Sequence, residues 1–292
     1  MKKNRSVFIA TSSFGKESSK PIKILKSSKF KIKLNPLKRK LNENELINNA
    51  KNYPYVIAGT EKYSKKVLLK LTKLKYIFRL GSGIENIDLN YAKKLKIKVE
   101  KSNITPEKSV AELIVGSMIN LLRKINLHDK NMKNNIWKKE MGNLLYGKKV
   151  GIIGFGKVGK YLYKILKNFG VKIFINDIKK VKSLKNSSID YIITNCDIIS
   201  LNINLVKNFK ILNKKMLNNL KKNCLLINTS RAETVDNQHL YKILKKKKIL
   251  GAYLDVFEKE PYYGKFTKLK NVLLSPHIGS YAAEIRNEME AE

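Results

Sequence analysis

The sequence predicts an α/β protein with two doubly wound, parallel-sheet domains. Short apolar runs rich in Val and Ile alternate with longer amphipathic stretches, which is typical of strands joined by crossover helices. This series occurs twice, on either side of a polar segment at residues 126–147. The chain has 292 residues, of which 43% are hydrophobic, so each half is large enough to bury a core of its own.

The first series predicts five strands, three helices and then a long helix. The strands are expected at Ser6–Thr11, Phe30–Leu34, Tyr55–Gly59, Tyr76–Leu80 and Lys96–Glu100. The helices are expected at Asn44–Asn49, Ser64–Leu71 and Leu89–Leu95. The long helix should begin at Pro106, because proline is favoured in the first turn of a helix. Between Val110 and Leu122 it has little polar face, which is typical of a buried helix.

The second series follows residues 126–147, which we interpret as a polar connector or docking arm around Trp137. Strands are then expected at Lys149–Gly154, Lys172–Asp177, Ile198–Ile203, Cys224–Asn228, Gly251–Asp255 and Val272–Ser275.

The charge of the chain is strongly positive, with 61 Lys and Arg against 23 Asp and Glu and a formal net charge of +38. The lysines are spread along the whole sequence and accompany many Asn and Ile residues. Charge runs are usually solvated faces, so a nucleic-acid partner is not expected. The cluster at 245–248 lies at a predicted helix end, where cations are favoured.

The location predicted from the sequence is cytoplasmic. The apolar stretch after the basic start is too short for a signal peptide, and no run of about 18 apolar residues predicts a membrane span. Cys196 and Cys224 lack the spacing of metal ligands, so no metal site is expected and both should be reduced, buried thiols.

A glycine-rich turn predicts a dinucleotide site. An apolar strand leads into Gly154-Phe155-Gly156-Lys157-Val158-Gly159, and an amphipathic stretch follows at helical spacing. Glycines let the backbone approach a pyrophosphate, whose charge is stabilised at the start of the helix. Asp177 ends the next strand, where it can accept hydrogen bonds from ribose hydroxyls and repel a 2′-phosphate. NAD is therefore the expected cofactor.

Three polar residues follow predicted strands of the second series: Arg231, Glu260 and His277. Ligands of parallel sheets bind at the carboxyl ends of the strands. Histidine suits proton transfer to a carbonyl, a carboxylate can support it, and arginine matches a substrate carboxylate in two-point geometry. Taken singly, each has an ordinary alternative, as a surface ion pair, a turn carboxylate or a loop cap. Behind a nucleotide fingerprint, the joint set favours reduction of a carbonyl.

At this point the chain resembles the D-isomer-specific 2-hydroxyacid dehydrogenases, and within them the phosphoglycerate-dehydrogenase-like branch. The residues that carry the resemblance include the glycine turn and the segments Arg79–Asp88, Ser109–Leu113, Asn228–Arg231, Asp255–Pro261 and Pro276–Gly279. The resemblance implies a Rossmann NAD-binding domain at residues 105–275, inserted in a flavodoxin-like substrate domain made of 1–104 and 276–292. It also implies a homodimer.

The resemblance further implies the roles of individual residues. Arg231 would orient the substrate, Glu260 would support the histidine, and His277 would be the acid/base. The substrate carboxylate would be held by Gly81, Ser82 and Gly83. The cofactor would be bound by Gly154, Gly156, Lys157, Val158, Gly159, Asp177, Thr229, Ser230, Asp255 and Gly279.

Some features depart from the family pattern. Asn202-Ile203-Asn204 stands where a His-x-Pro segment is usual, and Ala58–Glu61 lacks the arginines expected for phosphorylated substrates, although Lys62 could supply a cation. The last helix of the family normally continues past Ala282–Glu292, so we expect either a fragment or a substrate domain that lacks part of its cover. The function that the resemblance implies is NAD-dependent interconversion of a small 2-keto acid and its D-2-hydroxy acid. The alternative is an NAD-sensing regulatory or interaction protein.

Overall fold

The computed structural model describes residues 5–81, 83–179, 181, 184, 186–203 and 210–292. The chain divides into two units, which are considered separately. Unit 1 comprises Met1–Pro106 and Ser280–Glu292, and unit 2 comprises Glu107–Gly279.

Unit 1 contains a five-stranded sheet in which all neighbouring strands are parallel. Its strands are β1 (Ser6–Ile9), β2 (Lys31–Leu34), β3 (Tyr55–Ala58), β4 (Tyr76–Arg79) and β5 (Lys98–Lys101). The order β2-β1-β3-β4-β5 reverses direction beside β1, which is the flavodoxin-like arrangement. This confirms the predicted fold class for the first series.

The helices of unit 1 are α1 (Lys20–Ser27), α2 (Glu43–Ala50), α3 (Lys65–Lys70), α4 (Leu89–Lys94) and a C-terminal helix (Ala283–Ala291). Helices α2, α3 and α4 lie within one residue of their predicted bounds. The sequence pattern did not predict α1. With only eight residues it is too short for a helical period to be established from the sequence, although Pro21 occupies the first turn.

The core of unit 1 has two layers, because successive strand residues point to opposite faces of the sheet. Phe8 and Ala10 pack on one face with residues from α2, α3 and α4. Val7 and Ile9 pack on the other face with Ile285 of the C-terminal helix. Both faces of β1 are therefore buried, which explains its uninterrupted apolar sequence.

Unit 2 contains a six-stranded parallel sheet in the order β11-β10-β9-β8-β6-β7. Its strands are β6 (Lys149–Ile153), β7 (Lys172–Asn176), β8 (Ile198–Leu201), β9 (Leu225–Asn228), β10 (Gly251–Leu254) and β11 (Val272–Leu274). The order changes direction beside β6, where a doubly wound sheet binds its ligand. All strands predicted for the two units are present, with bounds within two residues of those expected.

The helices of unit 2 are α5 (Glu107–Arg123), α6 (Ile125–Lys133), α7 (Lys157–Leu166), α8 (Ile189–Asn195), α9 (Lys214–Asn218) and α10 (Asn237–Lys245). The long helix begins one residue after Pro106, and its buried residues include Ala111, Ile114 and Met118. None of the helices in the described part of the chain is long and apolar enough to cross a membrane.

The interpretation of residues 126–147 as a connector throughout is corrected by α6. Lys124 takes a left-handed conformation with φ 54°, which ends α5 and lets a second helix begin. This helix buries none of its side chains, and only Ile125, Leu127 and Met132 of its nine residues are apolar, which makes it hard to recognise from the sequence. An ion pair between Lys133 and Asp129, one turn apart, supports it instead.

Helix α2 generates a prediction about stability. The Asn42 side chain accepts a hydrogen bond from Glu45 N at 2.9 Å, and the Glu45 carboxylate accepts one from Asn42 N at 3.0 Å, which forms a capping box. We expect Asn42→Ala to lower the free energy of unfolding by about 1 kcal/mol, measured by urea denaturation. Asn44→Ala, at an exposed position of the same helix, should cause no loss; equal losses would contradict the capping role.

Candidate functional site

Three glycines shape the turn between β6 and α7, each for a different reason. Gly154 has φ +92°, and a Cβ there would lie 2.5 Å from Asn202 O. A Cβ at Gly159 would lie 2.2 Å from Gly154 O, so the helix can pass this close to the turn only with glycine. A Cβ at Gly156 would have no described atom within 4 Å, which leaves its backbone accessible. Lys157 and Val158 form the first turn of α7.

Asp177 follows β7 and contacts the glycine turn directly. Its Oδ2 accepts a hydrogen bond from Phe155 N at 2.6 Å, and its Oδ1 accepts one from Lys179 N at 2.8 Å. The side chain of Asn186 pairs with the backbone of Asp177 in both directions. The carboxylate is thus fixed beside an open, glycine-lined helix start, and each oxygen keeps capacity for a further donor. This arrangement fits a dinucleotide.

The three predicted catalytic residues follow three neighbouring strands. Arg231 comes after β9, Glu260 after β10 and His277 after β11, and the sheet order is β11-β10-β9. The carboxyl ends of parallel strands lie at the same edge of a sheet. The fold therefore places all three residues at one edge of the unit 2 sheet.

The structure brings His277 and Glu260 into direct contact. His277 Nδ1 lies 3.0 Å from Glu260 Oε1 and 3.2 Å from Oε2, with side-chain exposures of 37% and 20% respectively. Glu260 Oε1 also accepts a hydrogen bond from Phe257 N at 3.3 Å. A carboxylate at Nδ1 fixes the orientation of the imidazole. Among the described residues no hydrogen-bond partner reaches Nε2, so this nitrogen can face a reacting group.

The loop that carries His277 is held by Asp255, which is fully buried. Asp255 Oδ1 accepts hydrogen bonds from Ser275 Oγ at 2.5 Å and from Ile278 N at 2.8 Å. Its Oδ2 accepts one from Gly279 N at 2.9 Å. Burial raises the pKa of Asp255, while the hydrogen bond from Ser275 and those from the loop amides oppose this. The predicted contact between Asp255 and the cofactor remains a prediction.

Two further contacts extend this network. Tyr253 Oη and Ser275 Oγ are hydrogen-bonded at 2.6 Å, which fixes the Ser275 side chain that donates to Asp255. Ser109 Oγ of α5 donates to Gly279 O at 2.8 Å. A Cβ at Gly279 would lie 3.3 Å from Asp255 Oδ2, so a side chain there would crowd this carboxylate. Sequence reasoning missed the support from Tyr253 and Ser275, because such partners are set by packing.

The segment after β9 is held by Asn228. Its Oδ1 accepts hydrogen bonds from Ser230 N at 3.0 Å and from Ser230 Oγ at 2.9 Å, and its Nδ2 donates to Arg231 O at 3.1 Å. Arg231 Nη1 donates to Ser230 O at 2.8 Å. Thr229 is half-buried in the same segment. Asn228 was not a predicted site residue, although an amide at the last position of a buried strand is a signal of this role.

The predicted substrate loop lies in unit 1, immediately after β4. Gly81 has φ +143°, a conformation that L side chains rarely adopt, and a Cβ there would lie 2.6 Å from Arg79 Nη1. Gly83 is half-buried. Ser82 lies outside the described residues, as does Asn204 of the segment that departs from the family pattern. Within the described residues there is no group of three or more potential metal ligands.

A comparison with known protein families covers the glycine turn and the loops of unit 2 that carry Arg231, Glu260 and His277. A family model described as D-isomer specific 2-hydroxyacid dehydrogenase, NAD binding domain, matches residues 115–279. The glyoxylate reductase of Thermococcus litoralis is 37% identical over 79% of this chain and 75% of its own. The hydroxypyruvate reductase of Thermotoga maritima is 33% identical over 81% of each chain. The apo structure of D-lactate dehydrogenase from Escherichia coli superposes with TM-score 0.85 and 27% identity, covering 98% of this chain and 93% of that one.

The three glycines give a prediction that separates folding from cofactor binding. Gly159→Ala should lower the free energy of unfolding by about 1–3 kcal/mol, because its Cβ would overlap Gly154 O. Gly156→Ala should leave stability unchanged but raise the Kd for NADH at least about tenfold, because the methyl group would occupy the approach to the turn. Thermal unfolding and NADH fluorescence titration measure the two effects. Unchanged NADH affinity in Gly156→Ala would place the cofactor elsewhere.

Proposed function

The chain belongs to the D-isomer specific 2-hydroxyacid dehydrogenase family, and we propose that it interconverts a small 2-keto acid and its D-2-hydroxy acid with NAD as cofactor. The observation that carries this proposal is the pairing of His277 with Glu260 at the carboxyl edge of the nucleotide-binding sheet. When bound, NADH supplies the hydride that reduces the carbonyl carbon. The residues of the chain bind the cofactor, orient the substrate and exchange the proton.

The cofactor is proposed to bind along the turn from Gly154 to Gly159. Accessible amides at the start of α7 stabilise the pyrophosphate, and Asp177 accepts hydrogen bonds from the adenosine ribose. The fixed carboxylate would repel a 2′-phosphate, so we propose a preference for NAD over NADP. Thr229, Ser230, Asp255 and Gly279 are proposed as further cofactor contacts.

His277 is proposed as the general acid. Its Nε2 donates a proton to the carbonyl oxygen during reduction and accepts the hydroxyl proton during oxidation. Glu260 is hydrogen-bonded to Nδ1, which fixes the imidazole so that Nε2 stays directed at the substrate. Asp255 fixes the loop, so that the imidazole does not have to be reoriented in each turnover.

Substrate binding is proposed to rest on Arg231 and on the loop of unit 1. The guanidinium of Arg231 can bind a carboxylate in two-point geometry and polarise the neighbouring carbonyl. Gly81 and Gly83 are proposed to contribute backbone amides. The similar proteins include a glyoxylate reductase and a hydroxypyruvate reductase, which supports small 2-keto acids of this kind as substrates. An NAD-sensing role without turnover is not favoured by any contact described above.

We propose that the chain forms a homodimer through the surface of residues 132–146 in unit 2. The apolar side chains here are highly exposed: Trp137 by 79%, Met141 by 89%, Leu144 by 65% and Tyr146 by 74%. Large apolar side chains that are exposed together in one short segment are typical of a protein–protein interface. We propose that a second copy of the chain covers it.

A cytoplasmic location is also proposed, supported by the two buried cysteines, which are both free.

The assignment of His277 is tested by substitution. His277→Ala should lower kcat for glyoxylate or hydroxypyruvate by about 10²–10⁴-fold, because the proton donor is lost. Its Kd for NADH should stay close to that of the wild type, since His277 is not part of the glycine turn. His239→Ala is the control, because His239 bonds Asn218 on the surface between α9 and α10. Wild-type turnover in His277→Ala would rule out this histidine as the acid.

The dimer is tested by disrupting its proposed surface. Trp137→Asp places a charge at a side chain that a second copy should bury, so the variant should elute and scatter as a monomer at micromolar concentration. Tyr263→Asp serves as the control, because Tyr263 is also 89% exposed but lies outside residues 132–146. Light scattering coupled to size-exclusion chromatography gives the mass. If Trp137→Asp still has the mass of a dimer at the same concentration as the wild type, residues 132–146 do not form the interface.

A further inference from the structure

Unit 2 contains a buried tyrosine hydroxyl that the proposed mechanism does not use. Tyr253 lies in β10 and is 2% exposed, and its ring belongs to the apolar cluster that includes Ile114 and Met118 of α5. A hydroxyl in such surroundings is destabilising unless it is hydrogen-bonded. Its partner is Ser275 Oγ, at 2.6 Å. The ring of Tyr253 therefore serves packing, whereas its hydroxyl serves a contact at the end of β11.

The register of the sheet explains why these side chains meet. Leu254 of β10 pairs with Leu274 of β11. The residues that follow them, Asp255 and Ser275, therefore lie side by side at the carboxyl edge. Tyr253 and Asp255 are two residues apart, and side chains at this spacing in a strand point to the same face. Ser275 Oγ is thereby within hydrogen-bonding distance of both Tyr253 Oη and Asp255 Oδ1.

The direction of these hydrogen bonds follows from the number of protons. The Asp255 carboxylate accepts hydrogen bonds from the backbone amides of Ile278 and Gly279. Its third donor is Ser275 Oγ, and a serine hydroxyl has a single proton. Because Ser275 gives that proton to Asp255, the hydroxyl of Tyr253 must be the donor to Ser275. Burial raises the pKa of Tyr253, and the charge of Asp255 raises it too, so the tyrosine keeps its proton at neutral pH.

The orientation of Ser275 bears on the loop that carries His277. A serine hydroxyl rotates to suit its partners, and the hydrogen bond from Tyr253 leaves its proton directed at Asp255. Hydrogen bonds in such a chain also strengthen one another. Asp255 in turn holds the amides that follow His277, whose backbone is left-handed with φ 57°. A residue other than glycine keeps such a conformation only where its surroundings determine it.

We propose that Tyr253 is a positioning residue of the reaction, whose hydroxyl acts through Ser275 to keep the His277 loop in its catalytic conformation. This inference rests on the proposed function. The hydroxyl acts on the loop of the proton donor and lies outside the glycine turn proposed to bind the pyrophosphate. Its removal should therefore lower kcat rather than weaken the binding of NADH.

The test compares variants with NADH and either glyoxylate or hydroxypyruvate. Tyr253→Phe removes only the hydroxyl and keeps the ring in the core. We expect kcat to fall about three- to tenfold, because the loop spends less time in its catalytic conformation, while KM and the Kd for NADH stay within about twofold. Ser275→Ala should lower kcat at least as much. Ser275→Thr, which keeps a hydroxyl on the same carbon, should retain most of the activity.

A double variant tests whether Tyr253 acts through Ser275. If it does, Tyr253→Phe should cause no further loss of kcat in the Ser275→Ala background, because the hydroxyl that Tyr253 would bond is already absent. A hydroxyl that only stabilised the fold would lower Tm but leave kcat at temperatures below Tm unchanged. Tyr55→Phe is the control, because Tyr55 is also a strand tyrosine packed against an aromatic ring, that of Phe30, but lies in β3 of unit 1.

The inference is overturned if Tyr253→Phe turns over like the wild type, or if Tyr55→Phe lowers kcat as much. It is also overturned if Tyr253→Phe lowers kcat by the same factor in the wild-type and Ser275→Ala backgrounds, or if it weakens NADH binding and leaves kcat unchanged. A wild-type protein that binds NADH but reduces neither glyoxylate nor hydroxypyruvate, nor pyruvate, would overturn the proposed function itself, and this inference with it.

Discussion

The geometry of the loop that carries His277 depends on one buried carboxylate. Asp255 is removed from water, which disfavours its charge, and it is stabilised by a hydroxyl and two backbone amides of the loop after β11. His277 in that loop has φ +57°, a left-handed conformation that a residue with a side chain rarely adopts. The hydrogen bonds to Asp255 flank this residue and hold it there. The orientation of the imidazole therefore follows from the hydrogen bonds that Asp255 accepts from its loop.

The parallel sheets explain why polar residues far apart in sequence meet. Strands β8, β9 and β10 of unit 2 are buried along their whole length, and polar residues stand where they end, so the proposed site residues lie at the carboxyl edge of the sheet. In unit 1, Glu61 and Gly81 likewise follow the carboxyl ends of two neighbouring strands, β3 and β4. Side-chain amides then fix these segments, with Asn228 in unit 2 and Asn86 in unit 1.

The sequence predicted the strands well because buried parallel strands are short, apolar runs that few other elements resemble. Helices α1 and α6 were missed because they are only eight and nine residues long and contain few apolar residues, so a helical period is hard to establish from the sequence. The glycine turn, Asp177, Glu260 and His277 were recognisable because their residue types are required by geometry or chemistry. The contacts of Tyr253, Ser275 and Asn228 could not be predicted, because ordinary residues acquire such roles only through tertiary packing.

The division of unit 1 into two chain segments has a consequence for how the protein is made. Ile285 and Met289 complete an apolar layer with Val7 and Ile9, and Glu290 accepts a hydrogen bond from Gly15 N at 2.8 Å. During synthesis, all of unit 2 leaves the ribosome before these partners do. Unit 2 can thus fold while unit 1 still exposes one face of its sheet, and closure of that face is delayed by the translation of more than half the chain. Until then, the exposed face is a site for chaperone binding or misassembly.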